Sequence, residues 1–190
     1  MPKLIIISHP EVAIDPAVPI TEWGLNAVGH KRATEFASGE VLSNVTQIWT
    51  SGERKARETA EILAAPRALP VNCNLSLGEN DRSATGYLPR DDFEAAADAF
   101  FAQPDRSYRG WETAVEAQRR IHRTVSEIIQ SHDAGDLAIV THGAVGTLLW
   151  CALSDCSIDR TYDQPSQGHF WQADLATLKP DSCWVAWHRR

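Results

Sequence analysis

Lys3-Leu4-Ile5-Ile6-Ile7-Ser8-His9-Pro10 opens the chain with a continuous apolar, β-branched run that stops at a histidine and a proline. A strand with one wet face would alternate apolar and polar residues; this run predicts a strand covered on both faces, as in the interior of a parallel sheet. Proline lacks an N–H and holds the residue before it extended, so His9 belongs at the strand's C-terminal tip. Asp136-Leu137-Ala138-Ile139-Val140-Thr141-His142 repeats the pattern, with Gly143 and an apolar helical pattern over 144–153 behind it. Two strands therefore deliver two histidines.

Between them, Val45–Thr50 reads as a further strand, followed by a helix from Glu53 to Ala64 with Ala56, Ala60 and Leu63 on one face. Leu25, Val28, Ala33, Phe36 and Ala37 predict a helix stopped by Gly39, and Trp111 to Gln130 carries the clearest helical period. Gly168–Leu175 and Cys183–His188 read as strands joined by a Lys-Pro-Asp-Ser turn. Strands interleaved with helices predict one α/β domain over residues 1–190, three layers α/β/α around a mostly parallel central sheet. The segment 80–110, with Phe93, Ala97, Phe100 and Phe101 at helical spacing, reads as a cap insertion. It is either a helix docked on the core or a lid over the strand ends.

The 190 residues are 43% hydrophobic and 23% charged, enough for one sizeable core. With 18 basic against 25 acidic residues the net charge is −7, which opposes nucleic-acid and anionic-membrane partners. No apolar run nears the roughly 20 residues needed to span a bilayer, and Leu4–Ile7 is too short for a signal sequence, so a cytoplasmic protein is expected. Cys73, Cys151, Cys156 and Cys183 form no C-x-x-C pair and read as reduced thiols. A zinc site at Cys151 and Cys156 lacks a matching second pair.

In open α/β sheets ligands bind beyond the carboxyl ends of the strands, so His9 and His142 can face one crevice, and Gly143 would let a ligand or another backbone come close. A lone histidine after a strand is ordinarily structural; two at equivalent strand ends indicate a site. His169 reads as a core-edge histidine or as part of the crevice wall, and His30, His122, His132 and His188 show no constellation. Glu112 with Arg119 or Arg120 reads as a helix-capping and surface pattern.

The order of these pieces resembles the histidine phosphatase superfamily, with its phosphoglycerate mutase-like fold, over nearly the whole chain. Ser8-His9-Pro10 stands where that family has Arg-His-Gly, and Leu25 to Ala33 is similar to its Leu-Ser/Thr-x-x-Gly-x-x-x-Ala element. Thr50 to Ala60 resembles its Ser-Ser-x-x-x-Arg-Ala-x-x-Thr-Ala element, and Leu77-Gly78-Glu79 its Leu-x-Glu. Gly110-Trp111-Glu112-Thr113 is similar to Gly-Glu-Ser, and Val140-Thr141-His142-Gly143 to the second-histidine motif.

The resemblance implies that His9 attacks phosphorus and carries a covalent phosphoryl group, with its other ring nitrogen fixed by a backbone carbonyl. It implies that His142, preferably protonated, binds the equatorial phosphoryl oxygens and that Glu79 acts as general acid and then base, with no metal or other cofactor. The phosphate-binding set would be Ser8, Lys55, Arg54 and Gly143. Ser8 and Lys55 stand where the family has arginines, so the pocket loses a charge and most of its planar fork geometry. Arg54 could reach in only from an irregular first helical turn, and Arg57 points away. Pro10 removes an N–H beside the nucleophile.

The expected activity is hydrolysis of a small phosphomonoester, with phosphoglycerate mutase less favoured. The alternative is a catalytically weak or inactive module that binds a phosphorylated or anionic ligand. A metal held by the two histidines and Glu79 lacks a spacing such as H-E-x-x-H. The partners expected are that small substrate and, for quaternary structure, a homodimer.

Overall fold

The structure is a computed structural model and describes residues 1–187, so His188, the predicted end of the last strand, lies outside the described residues. Strands β1 (Lys3–Ser8), β2 (Val45–Thr50), β3 (Val71–Cys73), β4 (Asp136–Thr141), β5 (His169–Asp174) and β6 (Val185–Ala186) form one sheet in the order β3-β2-β4-β1-β5-β6. The first four neighbours run parallel; β5 is antiparallel to β1, and β6 to β5.

The unbroken apolar runs have the predicted cause. Leu4 and Ile6 face one core cluster and Ile5 and Ile7 the other, and β4 divides Leu137 and Ile139 from Ala138 and Val140 in the same way. Helices α1 (Ala27–Ala37) and α2 (Arg54–Ala64) cover one face; α3 (Arg90–Ala102), α4 (Ala114–Gln130) and α5 (Gly143–Leu153) cover the other. Each fully buried isoleucine or leucine contributes about 1.5–3 kcal/mol of transfer free energy, so β1 alone anchors both layers.

Several boundaries differ from the sequence reading. The helix predicted from Trp111 begins at Ala114, because Thr113 and Glu116 form a reciprocal capping box there. Trp111 packs outside the helix against Phe100 and Tyr108. Strand β3 was not visible in the sequence: it is three residues long, follows Pro70 and lies at the sheet edge with its outer side chains exposed. The last predicted strand shortens to two residues. Helix α3 docks on the core through Ala96, Phe100 and Phe101. Among the described residues no helix is long and apolar enough to cross a membrane.

Candidate active site

Strands β1 and β4 are parallel neighbours with Ser8 opposite Thr141, so the next residue on each, His9 and His142, emerge side by side. Their ring centroids are 5.3 Å apart, edge to face. Nδ1 of His9 lies 2.9 Å from the carbonyl oxygen of Pro10. A carbonyl can only accept, so Nδ1 carries the proton and Nε2 keeps its lone pair. Burial, reinforced by the charge of Lys55, pushes the His9 pKa down to about 4, which leaves the ring neutral near neutral pH.

Glu79 follows a 3-10 turn, Leu75–Leu77, and is aimed at the N-terminus of α5. Its carboxylate accepts from the backbone N–H groups of Val145 at 3.2 Å and Ala144 at 3.4 Å. Burial raises its pKa above the ordinary carboxyl value, against the opposing charge of Arg82. The loop is clamped from beneath by Arg120, whose guanidinium donates to the carbonyls of Ser76 (2.8 Å), Gly78 (3.0 Å) and Glu79 (3.2 Å) and to both oxygens of Glu112. This corrects the surface reading of Glu112 and Arg120: both are largely buried, and together they hold the segment that carries Glu79. Arg119 remains exposed.

His142 is 1% exposed, and its Nε2 is 2.8 Å from Ser51 Oγ and 3.3 Å from Glu53 Oε1. Its Nε2 is therefore already engaged by side chains of the β2–α2 turn, and its buried Nδ1 has no hydrogen-bond partner among the described residues. Burial lowers its pKa well below the ordinary value, against the pull of Glu53, which corrects the expectation of a protonated ring: desolvation disfavours the imidazolium here.

Lys55 is buried at the start of α2, donating to the Ile20 carbonyl at 2.8 Å and to the other oxygen of Glu53. Despite burial, His142 and Lys55 hold the Glu53 carboxyl down at about 2. Glu53 also accepts the Glu79 backbone N–H at 2.9 Å. The sequence reading missed this residue, whose one visible signal was a carboxylate at a helix start two positions before Lys55.

The remaining predicted phosphate ligands are placed differently. Ser8 is fully buried and bonded to Gln164 Oε1 and to the backbone N–H of His169, so it braces β5 rather than facing a ligand. A Cβ at Gly143 would stand 2.5 Å from Gln164 Nε2; the close approach that glycine permits is to that side chain. Arg54 is not brought to the site. The first turn of α2 is regular, so one position of rotation turns Arg54 outward, where it pairs with Glu58 at 2.7 Å. His169 is buried at the start of β5.

His9, Lys55, Glu79 and Arg82 open onto a cavity of about 500 Å³ whose far wall is Phe93, Phe101 and Trp111. The cap segment thus both packs on the core and walls the crevice. A second cavity of about 500 Å³ shares Glu79, Asn80 and Arg82 with it. Among the described residues no group of three or more His, Cys, Asp or Glu side chains is arranged to hold a metal ion, and Cys151 and Cys156 are free.

Residues 9–169 match the family model described as histidine phosphatase superfamily (branch 1). Among solved structures the chain superposes on a mycobacterial glucosyl-3-phosphoglycerate phosphatase with inorganic phosphate at a TM-score of 0.81 and 18% identity, covering 98% of this chain and 99% of that one. YhfR of Bacillus stearothermophilus gives 0.76 at 22% identity over 98% and 95% of the two chains. A phosphoserine phosphatase of Entamoeba histolytica gives 0.80 at 17% identity over 98% of each. No curated protein matches the chain by sequence.

Proposed function

The chain belongs to the histidine phosphatase superfamily, and on that footing we propose that it hydrolyses a small phosphomonoester through a phosphohistidine at His9. The observation that carries this reading is the state of His9: neutral, held through Nδ1 by Pro10, with Nε2 left to attack and Glu79 in the wall of the same cavity. In the first step Nε2 bonds to phosphorus as the ester P–O bond breaks, and the protonated Glu79 gives its proton to the departing oxygen. In the second, Glu79 takes a proton from water, the water oxygen bonds to phosphorus, and the P–N bond breaks to release orthophosphate. Burial that raises the Glu79 pKa favours its protonated form, which suits the first step.

The solved relatives include a glucosyl-3-phosphoglycerate phosphatase and a phosphoserine phosphatase, which supports hydrolysis over phosphoryl transfer between hydroxyls. The free thiols support action in the reducing cytoplasm. One observation favours the alternative of a weak or inactive module binding an anionic ligand: Glu53 neutralises Lys55 inside the pocket.

Incubation with an aryl phosphate followed by trapping of acid-labile phosphate tests the reading. The wild-type protein should label on His9 and release the aryl alcohol, and His9→Ala should do neither. Equal turnover by His9→Ala overturns the covalent mechanism, and no turnover by either protein favours the binding module.

A further inference from the structure

An anionic substrate reaching His9 needs a cation with free N–H donors, and three basic side chains reach that cavity: Lys55, Arg82 and Arg160. Lys55 is paired with Glu53, and Arg160 with Glu94 and Asp98. Arg82 alone of the three has no carboxylate within 4.0 Å among the described residues.

Its setting is built rather than incidental. The guanidinium carbon stands 4.9 Å from the centroid of the Phe93 ring on α3. A ring face attracts the cation without using its in-plane N–H groups, so the planar fork stays available to a ligand. The backbone beneath is fixed as well. The Arg82 carbonyl accepts from Thr85 and Gly86, each at 3.2 Å, the Asp81 carboxylate accepts from the Ser83 N–H at 2.9 Å, and the Glu112 N–H donates to the Asp81 carbonyl at 2.8 Å. Arg82 also lines both cavities that meet at Glu79. Its charge is felt at His9, Glu79 and His142, which places it within electrostatic reach of all three. Without it, the charges of Lys55 and Glu53 cancel and a phosphate dianion would meet a neutral or negative pocket.

We propose that Arg82 binds the phosphoryl oxygens of the substrate, the charge-assisted fork having moved from the positions of Ser8 and Lys55 to the loop behind Glu79. The proposal rests on the phosphomonoesterase reading for its substrate, but the anion-binding role stands apart from turnover.

The test compares the wild-type protein, Arg82→Gln, Arg82→Lys and the exposed control Arg123→Gln, with thermal melts to verify folding. Steady-state hydrolysis of an aryl phosphate and calorimetric titration with orthophosphate are the two readouts. Arg82→Gln should lower kcat/KM and orthophosphate affinity by about 100-fold, the loss expected for a charge-assisted contact, while Arg82→Lys should recover part of it. Arg123→Gln should match the wild type, which separates the effect from net charge. Wild-type turnover with Arg82→Gln unchanged within about twofold overturns the assignment and leaves the hydrolase reading intact. Orthophosphate binding that Arg82→Gln abolishes, with no turnover by any protein, supports Arg82 and sinks the hydrolase reading. A wild-type protein that neither binds orthophosphate nor turns over overturns both.

Discussion

Glu53 Oε1 stands 3.3 Å from His142 Nε2 and accepts the backbone N–H of Glu79, while the other oxygen of the same carboxylate is paired with Lys55. One buried anion thus ties the His142 ring beside His9, the loop that carries Glu79, and Lys55 together. With its pKa near 2, Glu53 is ionised wherever the protein is folded under ordinary conditions. It occupies, from within, the electrostatic role that a bound phosphate would have toward Lys55.

Replacing Glu53 by Gln keeps the shape and the acceptor for the Glu79 N–H but frees Lys55. Orthophosphate should bind about tenfold more tightly, one charge being newly available to it. Stability should fall by about 3 kcal/mol, because a nearly buried ammonium loses its counter-charge. Calorimetric titration and urea denaturation read the two effects. Unchanged phosphate affinity would mean that Lys55 points its charge away from the ligand.

Arg120 acts on Glu79 through the backbone of the loop that carries it. Arg120→Met fills the same channel but leaves the Ser76, Gly78 and Glu79 carbonyls without their donor and the Glu112 carboxylate without its counter-charge. Stability should drop by about 2–4 kcal/mol. In the fraction that remains folded, kcat should fall about tenfold at nearly constant KM, the signature of a misplaced acid rather than a lost binding contact. Arg120→Lys should not restore it, since one ammonium cannot span three carbonyls and a carboxylate. A change in stability with kcat intact would reduce Arg120 to a fold element.

The part of this site that the sequence displayed is the part fixed by strand periodicity. His9 and His142 could be read because each ends an unbroken apolar strand, and parallel pairing in register turns equivalent positions into neighbours. Glu79 was legible only through its motif. Arg120 was not, because its partners are carbonyl groups more than 40 residues away in the chain, which no helical pattern encodes. Glu53 stood in the sequence only as the first residue of a predicted helix, and only the fold of the β2–α2 turn against His142 reveals its role. Arg54 could have reached in only from an irregular first turn of α2; helical rotation instead sends Lys55 inward and Arg54 outward to Glu58.

Activity should depend on pH as a bell on the acid side. His9 must be unprotonated to attack, so the rising limb reports its pKa near 4. Glu79 must carry its proton to release the alcohol, so the falling limb lies above the ordinary carboxyl value. Profiles of kcat/KM for an aryl phosphate measure both limbs. A rising limb near the ordinary histidine value instead would contradict the neutral, buried His9.

The same depressed pKa makes a stability prediction. Folding lowers the His9 pKa from 6.5 to about 4, so between these values the unfolded chain binds more protons and stability rises with pH. The contribution is complete above the unfolded value and is lost as the pH falls toward 4, amounting to roughly 3 kcal/mol. His9→Gln should flatten this part of the denaturation profile relative to wild type. Parallel profiles for the two proteins would place the acid sensitivity elsewhere.

Ser8 and Gln164 should behave as one unit. The Ser8 hydroxyl is bonded to Gln164 Oε1, and Gln164 Nε2 fills the notch that Gly143 leaves open. Ser8→Arg, the change that would rebuild an arginine before the nucleophile, therefore meets an occupied space. Alone it should cost about 1–3 kcal/mol through overpacking and lower rather than raise activity. Combined with Gln164→Ala, which vacates the volume beside Gly143, the guanidinium gains a route into the cavity. The pair should then be more stable than the sum of the single changes by about 1 kcal/mol or more, and should bind orthophosphate better than either. A double-mutant cycle in urea with matching phosphate titrations decides this. Strict additivity would show that Gln164 is not what keeps position 8 out of the pocket, and that an arginine there is excluded by the backbone of β5 instead.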